Sequence, residues 1–238
     1  MRVIFMFTIN RFVPFFVVVL LTSSYANAQF SCWLGAGVNK SLGKHLALEG
    51  AYEYRLKNTN EFDKSNIDFK FTQNWIKGLE TFVRYRNSIE NNKFSGLNAQ
   101  IYAYSNRVSL GLDLSILRIL DISKRVKFNW TISQQFDNNQ FTRNSSILRN
   151  KVTFKHDIKD FFLSPFISME HFYGWNRDII YTEDDVIISS GTNAIRYFLG
   201  TDIEINKIQK ISASFGFRES FLKNKSTYIF RINYKISL

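Results

Sequence analysis

The chain has 238 residues, 31 Lys and Arg against 20 Asp and Glu, a formal net charge of +11 and one cysteine, Cys32. A lone cysteine excludes an internal disulfide, and no Cys/His zinc spacing or Gly-rich phosphate loop is present. Beyond residue 28 no segment approaches the roughly 20 consecutive apolar residues that a membrane-spanning helix requires.

Arg2 and Arg11 precede an apolar run over 12–21, and the polar stretch 22–28 ends with Ala26 and Ala28 at small-residue cleavage positions. This pattern predicts a cleaved signal peptide over residues 1–28 and a mature domain over 29–238. Gln29, Phe30 and Ser31 lack the small-residue signature of a lipoprotein site, so Cys32 is not expected to carry lipid. Without Arg2 and Arg11 the formal charge is still +9. On an exported chain such an excess suits lipid headgroup phosphates or lipopolysaccharide, not nucleic acid.

The mature region holds one proline, Pro165, and no low-complexity stretch that would divide it. Along it the side chains alternate. In 45–55, Leu46, Leu48, Tyr52 and Tyr54 share one parity and Glu49, Glu53 and Arg55 the other. In 66–72, Ile67, Phe69 and Phe71 oppose Asp68 and Lys70. In 126–137, Val126, Phe128, Trp130 and Ile132 oppose Lys127, Asn129, Thr131 and Gln135. The terminal stretch 227–238 sets Tyr228, Phe230, Ile232, Tyr234 and Ile236 against Arg231, Asn233 and Lys235. A period of two is the signature of strands with one apolar and one polar face. Further strands are predicted at 30–38, 79–88, 102–116, 147–158, 163–173, 195–205 and 211–218.

Short connections (39–44, 76–78, 159–162, 206–210) separate longer polar ones (57–65, 89–98, 138–146, 174–193). Tyr52, Tyr54, Trp75, Tyr85, Tyr102, Tyr104, Tyr173, Trp175 and Tyr228 fall near strand ends, where interfacial aromatic belts are found. The fold class predicted is therefore all-β, a single up-and-down antiparallel transmembrane β-barrel. Eleven strands are counted directly. An even number is required if both chain ends face the periplasm, so twelve strands are expected, the extra one falling within 97–116 or around 186–188, with ten as the alternative.

The stretch Arg196-Tyr197-Phe198-Leu199-Gly200-Thr201-Asp202-Ile203-Glu204-Ile205-Asn206-Lys207, with 211–217 and the closing Ile232-Asn233-Tyr234-Lys235, resembles the end of the outer-membrane barrel family catalogued as domain of unknown function 2490. Leu148-Arg149-Asn150-Lys151-Val152-Thr153-Phe154 leading into Leu163-Ser164-Pro165-Phe166-Ile167-Ser168 resembles its Arg-strand and Ser-Pro-strand hairpin, and Trp33-Leu34-Gly35, the turn before His45 and Tyr85 fit its first half. The resemblance implies a Gram-negative outer-membrane barrel of Bacteroidota type and brings no catalytic residues. Many outer-membrane barrels end in Phe, whereas this chain ends in Leu238.

By parity, 18 charged residues from Glu49 to Arg231 point into the lumen, where they meet water or each other. On the lipid face an Arg or Lys at mid-bilayer would cost about 2–4 kcal/mol. Most of these charges read as a salt-bridge network filling a narrow barrel. Arg84, Arg86, Arg107 and Arg149 are the candidates for a basic, anion-selecting constriction. Gln134, Asn150 and His156 on the lipid parity, and Phe82, Phe198 and Ile229 on the lumen parity, break the pattern.

Ser168 and Glu170 share a face opposite to His171, so no Ser/His/acid set is assembled. Glu183, Asp184 and Asp185, with nearby Asp178, match no calcium-loop spacing. The expected protein is a non-catalytic outer-membrane barrel, structural or passing small solutes and anions, with no cofactor and no metal. Its expected partners are outer-membrane lipids, lipopolysaccharide and the barrel-assembly machinery. A lipid-modifying barrel enzyme and a soluble periplasmic lipocalin-like barrel, with its apolar face turned inward, are the alternatives.

Overall fold

A computed structural model describes residues 29–58, 61–93, 100–119, 126–139, 145–158, 161–181, 186–221 and 225–238. The predicted signal peptide, 1–28, lies outside the described residues, as do Glu183, Asp184 and Asp185. Eleven strands follow in order: β1 (Gln29–Ser41), β2 (Leu46–Lys57), β3 (Glu61–Ile76), β4 (Leu79–Lys93), β5 (Gln100–Ser115), β6 (Val126–Asn139), β7 (Ser145–His156), β8 (Leu163–Tyr181), β9 (Val186–Glu204), β10 (Gln209–Ser220) and β11 (Lys225–Ser237). One helical turn, α1 (Ile116–Ile119), follows β5.

Each strand pairs antiparallel with its sequence neighbours, and β1 closes against β11 in parallel, from Gln29 opposite Thr227 to Asn39 opposite Ser237. This corrects the expected twelve strands. Residues 97–116 supply one strand, β5, and 186–188 belong to β9. The even-number expectation rests on both chain ends facing the same side of the barrel, which makes the first and last strands antiparallel. A parallel ladder satisfies the edge N–H and C=O groups as well, so eleven strands close the sheet. Gln29 and Leu238 consequently lie at opposite mouths.

The predicted contrast between short turns and long loops is also revised. The polar segments expected as loops are largely strand: β3 begins at Glu61, β4 runs to Lys93, and β8 and β9 extend to Tyr181 and Val186. Polar residues on both faces of a hairpin do not stop its backbone from pairing, so the ladders continue past the apolar band. Gly78 closes the tight β3–β4 turn with φ of 89°, a conformation that side chains with a Cβ rarely adopt.

The apolar parity faces outward. Phe69 is 54% exposed, Leu199 51% and Phe230 37%, with Ile67, Val83, Leu110, Phe154 and Ile167 on the same outer surface. Of the residues that broke the pattern, Gln134 donates to Ser146 and sits level with an outer ring of polar pairs. Tyr85 and Asn87 both donate to Asn106, at 2.7 and 2.9 Å, and His171 meets Thr192 at 3.0 Å. Asn150 is the register partner of His171. These pairs mark the edge of the outer apolar band toward the Gln29 mouth, and His156 ends β7 at the other mouth.

Phe82, Phe198 and Ile229 do face inward and are buried. Phe82 lies over its cross-strand partner Gly111, and Phe198 over Gly216, whose other partner is Ile229. A Cβ on either glycine would collide with the facing ring. A glycine thus makes room on the inner wall for each phenylalanine. Gly216→Ala is expected to destabilise the barrel by about 1–3 kcal/mol through overpacking, read by urea unfolding, with part of the loss recovered in Gly216→Ala/Phe198→Leu; an unchanged midpoint for the single variant would refute this packing.

Candidate functional site

The inward parity of all eleven strands converges on one cavity of about 970 Å³. Its lining runs from Asp202 and Lys210 near the Leu238 mouth to Glu61 and Asp63 near the other. Among the described residues fifteen basic and nine acidic side chains line it. A lumen so charged is the reverse of a lipid-binding pocket.

Seven of these nine acids, all but Glu61 and Asp63, are held in the following close pairs. Arg86 grips Asp68 with two hydrogen bonds, at 2.8 and 2.7 Å. Glu53 accepts from Arg55, with an ion-pair distance of 2.6 Å, and from Asn66 at 2.8 Å. Lys70 reaches Asp113 at 3.2 Å, Lys235 reaches Glu49 at 2.9 Å, and Lys64 pairs with Glu90. Asp202 holds Lys155 at 2.8 Å and Lys210 at 2.6 Å. Glu170, only 2% exposed, serves three cations: Arg149 at 2.8 Å, Lys151 at 3.6 Å and Arg196 at 3.5 Å.

The inward aromatic rings face the cations. Arg55 lies 3.9 Å from the Trp33 ring centre, Arg196 is 4.5 Å from Phe172 and 5.4 Å from Trp33, and Arg231 is 4.5 Å from Phe198. Lys70 and Arg84 share Phe82, at 4.3 and 5.8 Å. A ring face attracts a desolvated guanidinium by up to about 2 kcal/mol, so these rings partly replace the missing carboxylates. Their departure from strict alternation has this physical role.

All four predicted candidates line the cavity, but they do not act as a set. Arg86 is neutralised by Asp68, and Arg107 is its cross-strand partner. Arg149 is committed to Glu170. Arg84 makes no ion pair among the described residues, its Nε is buried without an acceptor, and it lies within electrostatic reach of Arg149. A second group, Arg196, Arg218 and Arg231, was assigned to the lumen by parity but not singled out. The available signal was three successive strands, β9 to β11, each bringing an inward arginine with few acids to match.

Ser168 and Glu170 line the lumen while His171 bonds Thr192 on the outer wall, so the three do not converge. Among the described residues no group of three His, Cys, Asp or Glu is placed to hold a metal ion. No protein-family model, curated protein or solved structure matches this sequence.

Glu170→Gln would leave Arg149, Lys151 and Arg196 around an uncharged amide. Breaking a buried charge group by removing one partner costs about 3–5 kcal/mol. The variant is expected to unfold at correspondingly lower urea, whereas Glu204→Gln, at an exposed strand end, is expected to stay within about 0.5 kcal/mol of the parent; equal effects would refute the central role of Glu170.

Proposed function

We propose that this chain is a non-catalytic outer-membrane β-barrel, exported with loss of residues 1–28, whose narrow basic lumen passes small anions. The carrying observation is the distribution of charge: apolar side chains cover the outside, while the lumen holds six more basic than acidic groups. An exposed apolar belt on all sides of a closed sheet matches a hydrocarbon environment, and closure leaves no unpaired edge for lipid to meet. The resemblance to domain of unknown function 2490 is consistent with this setting and is part of the proposal. Outer-membrane lipids, lipopolysaccharide and the barrel-assembly machinery are the proposed partners.

The cavity of about 970 Å³, crowded by charged side chains, suits waters and small ions. Arg84 is the residue to which selectivity is assigned, because among the described residues no ion pair holds its guanidinium, Asp68 and Glu49 acting on it only beyond ion-pair distance. Arg86 and Arg149 are structural partners of Asp68 and Glu170 first.

In planar bilayers with a KCl gradient, the parent is expected to show a reversal potential of anion-selective sign, and Arg84→Gln to move it toward zero. A cation-selective sign would overturn the anion assignment. Absence of current would remove permeation and leave the structural reading of the barrel.

A further inference from the structure

Arg196 on β9 and Arg218 on β10 are direct cross-strand partners, and both face the lumen. Like charges placed opposite one another destabilise a sheet unless something lies between them. Among the described residues no acid forms an ion pair with both, and Asp63 and Glu90 act on Arg218 only beyond ion-pair distance. Arg218 makes no ion pair among the described residues, and Arg196 reaches only Glu170, which Arg149 holds more closely. The Nε atoms of both arginines are buried and have no acceptor. Phe172 and Trp33 hold the Arg196 guanidinium against their rings. The Arg196 fork is fixed in this way, the Arg218 fork lines the same cavity, and each keeps an Nε–H donor without an acceptor.

The geometry points to a binding site between Arg196 and Arg218 for a multivalent oxyanion of the phosphate class. Each guanidinium is built to pair with two oxygens at once. A tetrahedral dianion supplies oxygens to both forks and cancels both charges, whereas chloride offers neither the second charge nor the spaced acceptors. The site lies inside the closed wall, where a lipid phosphate could not follow without drawing its tails into a charged lumen, so the ligand is a free anion. This inference rests on the proposed anion pathway and names what that pathway holds on its way through.

The test is calorimetric titration of the folded, detergent-solubilised barrel with inorganic phosphate in a chloride buffer, alongside block of chloride current by phosphate in bilayers. Saturable binding with a dissociation constant below about 1 mM is expected, weakened about tenfold or more in Arg218→Gln. Arg218→Lys, which keeps the charge and loses the fork, is expected to fall between and provides the comparison if Arg218→Gln does not fold. Lys127→Gln removes one charge from a rim lysine paired with Asp157 and should bind phosphate like the parent. Absence of saturable binding, or an equal loss in Lys127→Gln, would overturn the site. Phosphate binding in detergent with no current in bilayers would overturn the pathway while leaving the site standing.

Discussion

Closure of the sheet is the constraint on which everything else depends. Once β11 pairs with β1, no strand has a free edge, and every side chain must choose between one continuous outside and one enclosed inside. A period of two in the sequence then becomes a division in space. Phe69 and Lys70, adjacent in β3, end on opposite sides of the wall. Among the described residues the wall is a single layer with no second sheet or long helix over either face, and its outer surface is as apolar as the residues on it.

Enclosing so many charges creates the second problem, and the barrel solves it unevenly. Acids and bases pair closely where Asp202 meets Lys155 and Lys210 and where Glu53 meets Arg55. Glu170 alone serves Arg149, Lys151 and Arg196, Arg196 lies also against Phe172 and Trp33, and Arg231 lies against Phe198. Ring faces attract these guanidinium groups without neutralising them. The described lining therefore keeps an excess of basic over acidic groups, the feature on which the proposed passage and binding of anions is built.

Much of the wall was readable in the sequence, because alternation is a local signal. Strand positions, the face on which Trp130 or Arg149 lies, and the separation of His171 from Ser168 all follow from parity alone. What depends on which strands become neighbours was not readable. Whether β1 meets β11 in parallel is settled by two segments some 200 residues apart, and parity carries no information about direction. Likewise Arg86 was grouped with Arg84 because both point inward, yet Asp68 lies opposite Arg86 and no acid lies opposite Arg84. The fit of Phe198 over Gly216 required the register of β9 against β10. The polar hairpins above the apolar band have the composition of loops, yet their strands stay paired, as Lys57 with Glu61 and Tyr181 with Val186.

The orientation of the wall in lipid is tested most directly by labelling its two faces. In a Cys32→Ser background, Phe69→Cys and Lys70→Cys would each carry a fluorophore in barrels reconstituted into bilayers. Strong quenching of the Phe69→Cys label by lipids brominated on their tails, with iodide reaching only the Lys70→Cys label, is the outcome expected of an apolar belt in hydrocarbon around a hydrated lumen. Quenching of the Phe69→Cys label by iodide and not by brominated lipid would contradict it and return the barrel to water.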